Sequence, residues 1–101
     1  MLFYITSFIF VKKGKEAVFQ EFEAAVIPIL NNYNGEILYR IRPEKEQYIH
    51  CTGAPPYEVH FIVFDSEQDF LNYSQDEKRK TFMHLKEESI QTTLAIKGTN
   101  L

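Results

Sequence analysis

Cysteine is nearly absent from this chain: Cys51 stands alone among 101 residues. No internal disulfide can form, so the fold must rest on a hydrophobic core, and a reducing compartment is expected. Basic charge is also short. Eleven Lys and Arg against 14 Asp and Glu leave a net charge of -3 with no basic stripe. The phosphate attraction behind most nucleic-acid binding therefore has no source, and no nucleic-acid partner is expected. Glycine is scarce, with 4 residues, and they form no phosphate-cradling loop. A Walker motif, a paired-carboxylate signature and a Ser-His-Asp pattern are missing too, which removes nucleotide-driven chemistry and predicts no bound cofactor. The opening apolar run "LFYITSFIFV" (2–11) is about half of the roughly 20 residues that a membrane helix needs. No positive charge precedes it and no small-residue cleavage site follows, so it reads as a strand of a cytoplasmic, non-membrane protein.

What is present is ordinary for a globular chain: 45% hydrophobic and 25% charged residues rule out a disordered composition. The length fits one domain, 1–101, able to bury a core without a structural metal.

Periodicity gives the order of elements. In the opening strand one face carries Phe3, Ile5, Ser7, Ile9 and Val11, and the other Leu2, Tyr4, Thr6, Phe8 and Phe10. From Lys15 the spacing becomes helical, with Val18, Phe22, Ala25, Val26, Ile29, Leu30 and Tyr33 on one side. Pro28 predicts a kink or break, and "NNYNG" (31–35) a left-handed helix end. Residues 36–42 alternate Ile37, Tyr39 and Ile41 against Leu38, Arg40 and Arg42. A loop over 43–56, with a short extended piece around Tyr48 to Cys51, leads to a third strand at 57–64. Ser66 with Asp69 is a capping-box variant that starts a second helix, and Ser74 with Glu77 predicts a bend before it resumes through Leu85 and Lys86. A fourth strand alternates Ile90, Thr92, Leu94 and Ile96 against Gln91, Thr93, Ala95 and Lys97.

The order β-α-β-β-α-β is the α+β, ferredoxin-like pattern: a four-stranded antiparallel sheet, first and third strands central, with two helices on one face. The other face would expose more apolar surface than a monomer tolerates. A second copy packed face to face would hide it, giving a homodimer and explaining why the opening strand is apolar on both sides.

"PILNNYNGEILYR" (28–40) and "YEVHFIVFDSEQDFLNYSQDE" (57–77) resemble the dimeric α/β-barrel superfamily, in an uncharacterised branch near the antibiotic-biosynthesis monooxygenases and stress-responsive barrel proteins. Asn34 stands where that branch has the first glycine of a pair, a mild departure because Asn tolerates the same left-handed backbone. The resemblance implies two sheets packed as a dimeric α/β barrel enclosing a cavity.

His60 is the candidate catalytic residue, since alternation places it beside Glu58 on a central strand, where it could act as a general base or bind a ligand carbonyl. Pairing of His60 with Glu58 or a cross-strand partner is the plainer alternative. Arg40 and Arg42 could grip a carboxylate or pair with Glu58. The candidate ligand-binding set is Arg40, Glu58, His50, Ser7 and Thr93, with Thr6 a further polar break. His50, Cys51, His60 and His84 have ligand chemistry but no metal-binding spacing, so no metal is expected. Three functions are compatible with these residues: a small-molecule-binding homodimer with its pocket between sheet and helices; a cofactor-independent monooxygenase or isomerase acting on a small aromatic or hydroxy-acid substrate; and a noncatalytic structural dimer.

Overall fold

The computed structural model describes residues 1–100. Strand β1 (Phe3–Val11) runs through the centre of the sheet, and α1 (Glu16–Val26) follows it. Pro28 occupies the start of the next segment, a 3-10 helix at Ile27–Tyr33, so the chain changes helix type where the missing proline donor ends the α-helical ladder. Asn34 closes that segment in the left-handed conformation with φ 55°, as the "NNYNG" run predicts. Gly35 then opens β2 (Gly35–Ile41) under close constraint: a Cβ there would lie 2.6 Å from the Phe64 ring. The loop that follows holds only a short 3-10 turn, Lys45–Gln47, and no extended piece at Tyr48 to Cys51. The turn is closed by the Gln47 and Tyr48 N–H groups donating to the Glu44 and Lys45 carbonyls, which bends the chain just before that stretch.

Strand β3 (Glu58–Phe64) returns antiparallel between β1 and β2. The second helical region is three pieces, α2 (Glu67–Ser74), α3 (Glu77–Lys80) and α4 (Met83–Ser89). Ser66 caps α2, accepting from the Asp69 backbone N–H at 3.2 Å while its hydroxyl donates to the Asp69 carboxylate at 3.0 Å. The expected bend is present, but Asp76 makes it. Ser74 is still inside α2, donating to the Phe70 carbonyl, so it cannot cap the next piece. Asp76 instead accepts from the Arg79 backbone N–H at 2.7 Å and from the Tyr33 hydroxyl at 2.6 Å, which ties α3 to the 3-10 segment. Strand β4 (Ile90–Thr99) completes an antiparallel sheet of order β2-β3-β1-β4, with β1 and β3 central.

Two bulges alter the expected faces. In β2, Ile37 pairs with Ile62, but the next partner of β3 is Tyr39 with Phe61, so Leu38 is extra. Ile37 thus lies on the helix side, whereas Tyr39 and Ile41 lie on the open side, where strict alternation put all three together. In β4 a register shift leaves Ile90 opposite Val11 and Thr92 opposite Phe10, which turns Ile90 to the helix side and leaves Leu94 and Ile96 on the open side.

The core forms between sheet and helices from Phe3, Ile5, Ile29, Leu30, Phe64 and Tyr73, with Phe70 packed against it. Rings meet at 5.6 Å between Phe64 and Phe70 and at 5.8 Å between Phe64 and Tyr73. The molecule is 16 Å across its thin dimension, room for one sheet and one helical layer. The opposite face therefore has no cover from the described residues. It carries Tyr4, Phe8, Phe61 and Tyr39, with Tyr4 and Tyr39 both stacked on Phe61, and the half-exposed Leu94 and Ile96 at its edge.

Candidate ligand site

The charged centre of the fold lies where β2 and β3 meet α1. Glu58 and His60 are two residues apart on β3, so both project toward the helices, and Arg40 is the direct cross-strand partner of His60. Glu58 is fully buried. Its carboxylate accepts from Arg40 Nε at 2.6 Å and Arg42 Nε at 2.7 Å, and it is joined directly to His60 Nε2. Burial alone would raise the Glu58 carboxyl, but hydrogen bonds from His60, Arg40 and Arg42 together hold it at about 2. Arg40 has a second commitment, donating from Nη2 to Gln20 Oε1 at 2.9 Å, and Gln20 in turn donates to the Tyr57 hydroxyl. Arg42 also lies over the Tyr57 ring at 5.0 Å. With Nε2 on Glu58, Nδ1 is the His60 nitrogen left for another partner.

Beside this network a cavity of about 370 Å³ opens between the inner face of the sheet and the helices. Its apolar walls include Ile5, Ile9, Phe22, Ile62, Phe64 and Phe70. Polar side chains also line it, among them Ser7, Glu23, His60, Ser74, Arg79, Lys86 and Thr93. Of the expected site residues, the structure brings Ser7, His60 and Thr93 to the cavity, with Ser7 lying opposite His60 across the β1-β3 pair. Glu58 and Arg40 stand behind them as the support of His60. His50 is apart from all of these, exposed in the 43–56 loop with Thr52 as its hydrogen-bond partner, and Cys51 Sγ contacts the Gly53 carbonyl. No group of His, Cys, Asp or Glu among the described residues is gathered as a metal site.

Glu23, Arg79 and Lys86 were not among the expected site residues. Glu23 had a signal: Phe19, Phe22, Glu23 and Val26 share the buried face of α1, so a carboxylate sits one turn after Phe19 inside an apolar stripe. Burial pushes the Glu23 carboxyl above its usual range, only partly opposed by His60 and Arg40. Lys86, half-buried on α4, is pushed down by burial and by the like charge of Arg79, with Glu23 opposing. Neither Arg79 nor Lys86 has a carboxylate oxygen within 4.0 Å among the described residues. Arg79 Nε is buried without any hydrogen-bond partner, and its guanidinium lies over the Tyr73 ring at 4.9 Å. Arg79 had no readable signal, because "DEKRK" (76–80) looks like a solvated helix face until the break at Asp76 turns Arg79 inward, and Lys86 follows Leu85 on the helix with nothing to mark it as a cavity residue. A broad depression of about 550 Å³ lies beside the 43–56 loop, but its charged side chains, Arg42, Glu44, Lys45 and Glu46, are all exposed.

No family model and no curated protein sequence matches the chain. Solved structures do. A protein of unknown function from Rhodopseudomonas palustris superposes with a TM-score of 0.85 at 9% identity, covering 99% of this chain and 82% of that one. A dimeric protein of unknown function and ferredoxin-like fold from Bacteroides fragilis matches with a TM-score of 0.67 at 10% identity, over 96% and 94% of the two chains. The fold is ferredoxin-like. A putative antibiotic biosynthesis monooxygenase from Nitrosomonas europaea shares it, with a TM-score of 0.77 at 11% identity over 99% of this chain and 90% of that one. That branch is one the sequence resemblance named. Likeness at such low identity speaks for architecture alone, since a fold hosts many chemistries. No helix of the described residues is long and apolar enough to cross a membrane.

Proposed function

We propose that the protein is a homodimer that binds a small, largely apolar molecule in the cavity between sheet and helices. The observation that carries this reading is the cavity itself: about 370 Å³, walled by aliphatic and aromatic side chains, with several polar groups converging on it. The homodimer is supported by the apolar sheet face that this chain leaves bare and by the dimeric description of the Bacteroides fragilis neighbour. The lone Cys51 supports a reducing, cytoplasmic setting. In this reading His60, Ser7 and Thr93 meet the ligand, while Glu58 and Arg40 fix the His60 ring.

A second reading has its own observation. His60 is oriented by Glu58, and Glu23, with its carboxyl held above the usual range, shares the cavity, so two proton-carrying groups face one space. That supports a cofactor-independent monooxygenase or isomerase of a small aromatic or hydroxy-acid substrate, with His60 as proton acceptor. A thermal-shift screen of small aromatic and carboxylic acids separates binding from a purely structural dimer. Compounds should raise the melting temperature of the wild type but not of Ala95→Leu, which fills the cavity from β4. If nothing shifts the wild type, or if both proteins shift equally, the binding reading fails.

A further inference from the structure

Two cations face the same cavity, and Glu23, which also lines it, forms an ion pair with neither among the described residues. Arg79 arrives from α3 and Lys86 from α4, and no carboxylate oxygen among the described residues comes within 4.0 Å of either. Arg79 finds the Tyr73 hydroxyl beside it but no strong acceptor for its other donors. Nε is buried without a partner, and Nη1 reaches only the Met83 sulfur at 3.8 Å, a weak acceptor. Leaving a buried charged donor unsatisfied is expensive, and two like charges on one apolar cavity add to that cost. Structural arginines and lysines usually meet a carboxylate or bulk water; this pair has been given neither in full.

We infer that the cavity takes a small apolar molecule bearing one carboxylate, with Arg79 and Lys86 as the pair that holds it. The inference rests on the binding reading above and names its ligand class. The carboxylate would sit between the guanidinium and the ammonium, and the ring or chain behind it would lie against Phe22, Ile62, Phe64 and Phe70. Arg40 does not line this cavity, and its Nε and Nη2 are engaged by Glu58 and Gln20. Glu23 in the same cavity already offsets part of the charge of Arg79 and Lys86, so one added negative charge fits better than the two of a phosphate monoester. The depressed Lys86 ammonium agrees with this: burial and Arg79 destabilise its charge, and the attraction of an entering carboxylate would offset that destabilisation.

Isothermal titration calorimetry with 1-naphthoate and its neutral analogue 1-naphthamide tests the inference. Wild type should bind the carboxylate more tightly than the amide by about tenfold or more. Arg79→Met and Lys86→Met, which keep apolar bulk, should each abolish most of that preference and leave amide binding unchanged. The comparison of probes on the wild type stands even if one variant folds poorly. Equal affinity for the two probes, or undiminished preference in both variants, overturns the anion pair and spares the cavity. If neither probe binds wild type, or if both bind Ala95→Leu as well as wild type, the binding reading and the inference fall together.

Discussion

Toward the helices, β3 contributes Glu58 and His60; toward solvent, the same strand contributes Val59, Phe61 and Val63. The neighbouring strand β2 repeats the contrast, with Arg40 on the covered side and Tyr39 and Ile41 on the bare side. Over these stretches of β2 and β3, ionisable groups are buried under the helices while Tyr39 and Phe61 lie on the face a lone chain turns to water. For a monomer this is the wrong way round, because buried charge costs free energy and so does exposed apolar area. Both costs become intelligible together if the charged side serves a cavity and the apolar side serves a second copy. The helix-covered face is then the chemical face and the bare face the assembling one.

The contrast is broken most severely by removing Glu58, whose charge keeps Arg40, Arg42 and His60 in register. Glu58→Gln keeps the volume and loses the charge. We expect a stability loss of about 3 kcal/mol in urea denaturation, the low end for breaking a buried ion pair, because Arg40 and Arg42 retain 32% and 48% of their side-chain exposure and can rehydrate. The pH dependence has a definite sign. The Glu58 carboxyl is lower in the folded state than its usual 4.5, so its contribution is present above pH 4.5 and is lost as pH falls toward 2. Wild type should weaken across that window and Glu58→Gln should lack this component. A variant as stable as wild type, with the same acid limb, would mean the network holds nothing in place.

Glu23 sharpens the comparison from the opposite direction, and with a smaller effect. Its carboxyl is raised in the folded state, so the folded chain binds the proton more readily than the unfolded one. That contribution is complete below pH 4.5 and lost as pH rises through the raised value. Glu23→Gln should therefore be no less stable than wild type at neutral pH, by about 0–1 kcal/mol in its favour, and should lose the excess in acid. A marked destabilisation at neutral pH would show that ionised Glu23 has a partner that matters.

Much of this arrangement is legible in the chain. The doubled apolar strand, the Pro28 break, the Asn34 helix end and the Ser66 cap are local signals, each set by backbone chemistry within a few residues. What escapes is what depends on register and on distant packing. The Leu38 bulge moves Ile37 to the other side of β2, a shift that alternation cannot show, since it depends on pairing with β3. Arg79 and Lys86 become cavity residues through two breaks in the second helical region, the first made by Asp76, which bonds Tyr33, 43 residues away, and the second between α3 and α4. Glu23 was visible in principle as a charge between Phe22 and Val26 on the buried face of α1, but a stripe drawn from Val18 and Ala25 passes beside it.

The central claim is that the bare face is covered by another copy, and sedimentation equilibrium at micromolar concentration tests it directly, on wild type and on Ile96→Asp. Ile96 is 53% exposed on the open face of one chain, so this substitution should cost a monomer little. We expect wild type to sediment at twice 11.9 kDa and Ile96→Asp to shift toward 11.9 kDa while keeping its folded circular-dichroism spectrum. Wild type that sediments as a stable 11.9 kDa species would contradict the account, because its oiliest surface would then be facing water.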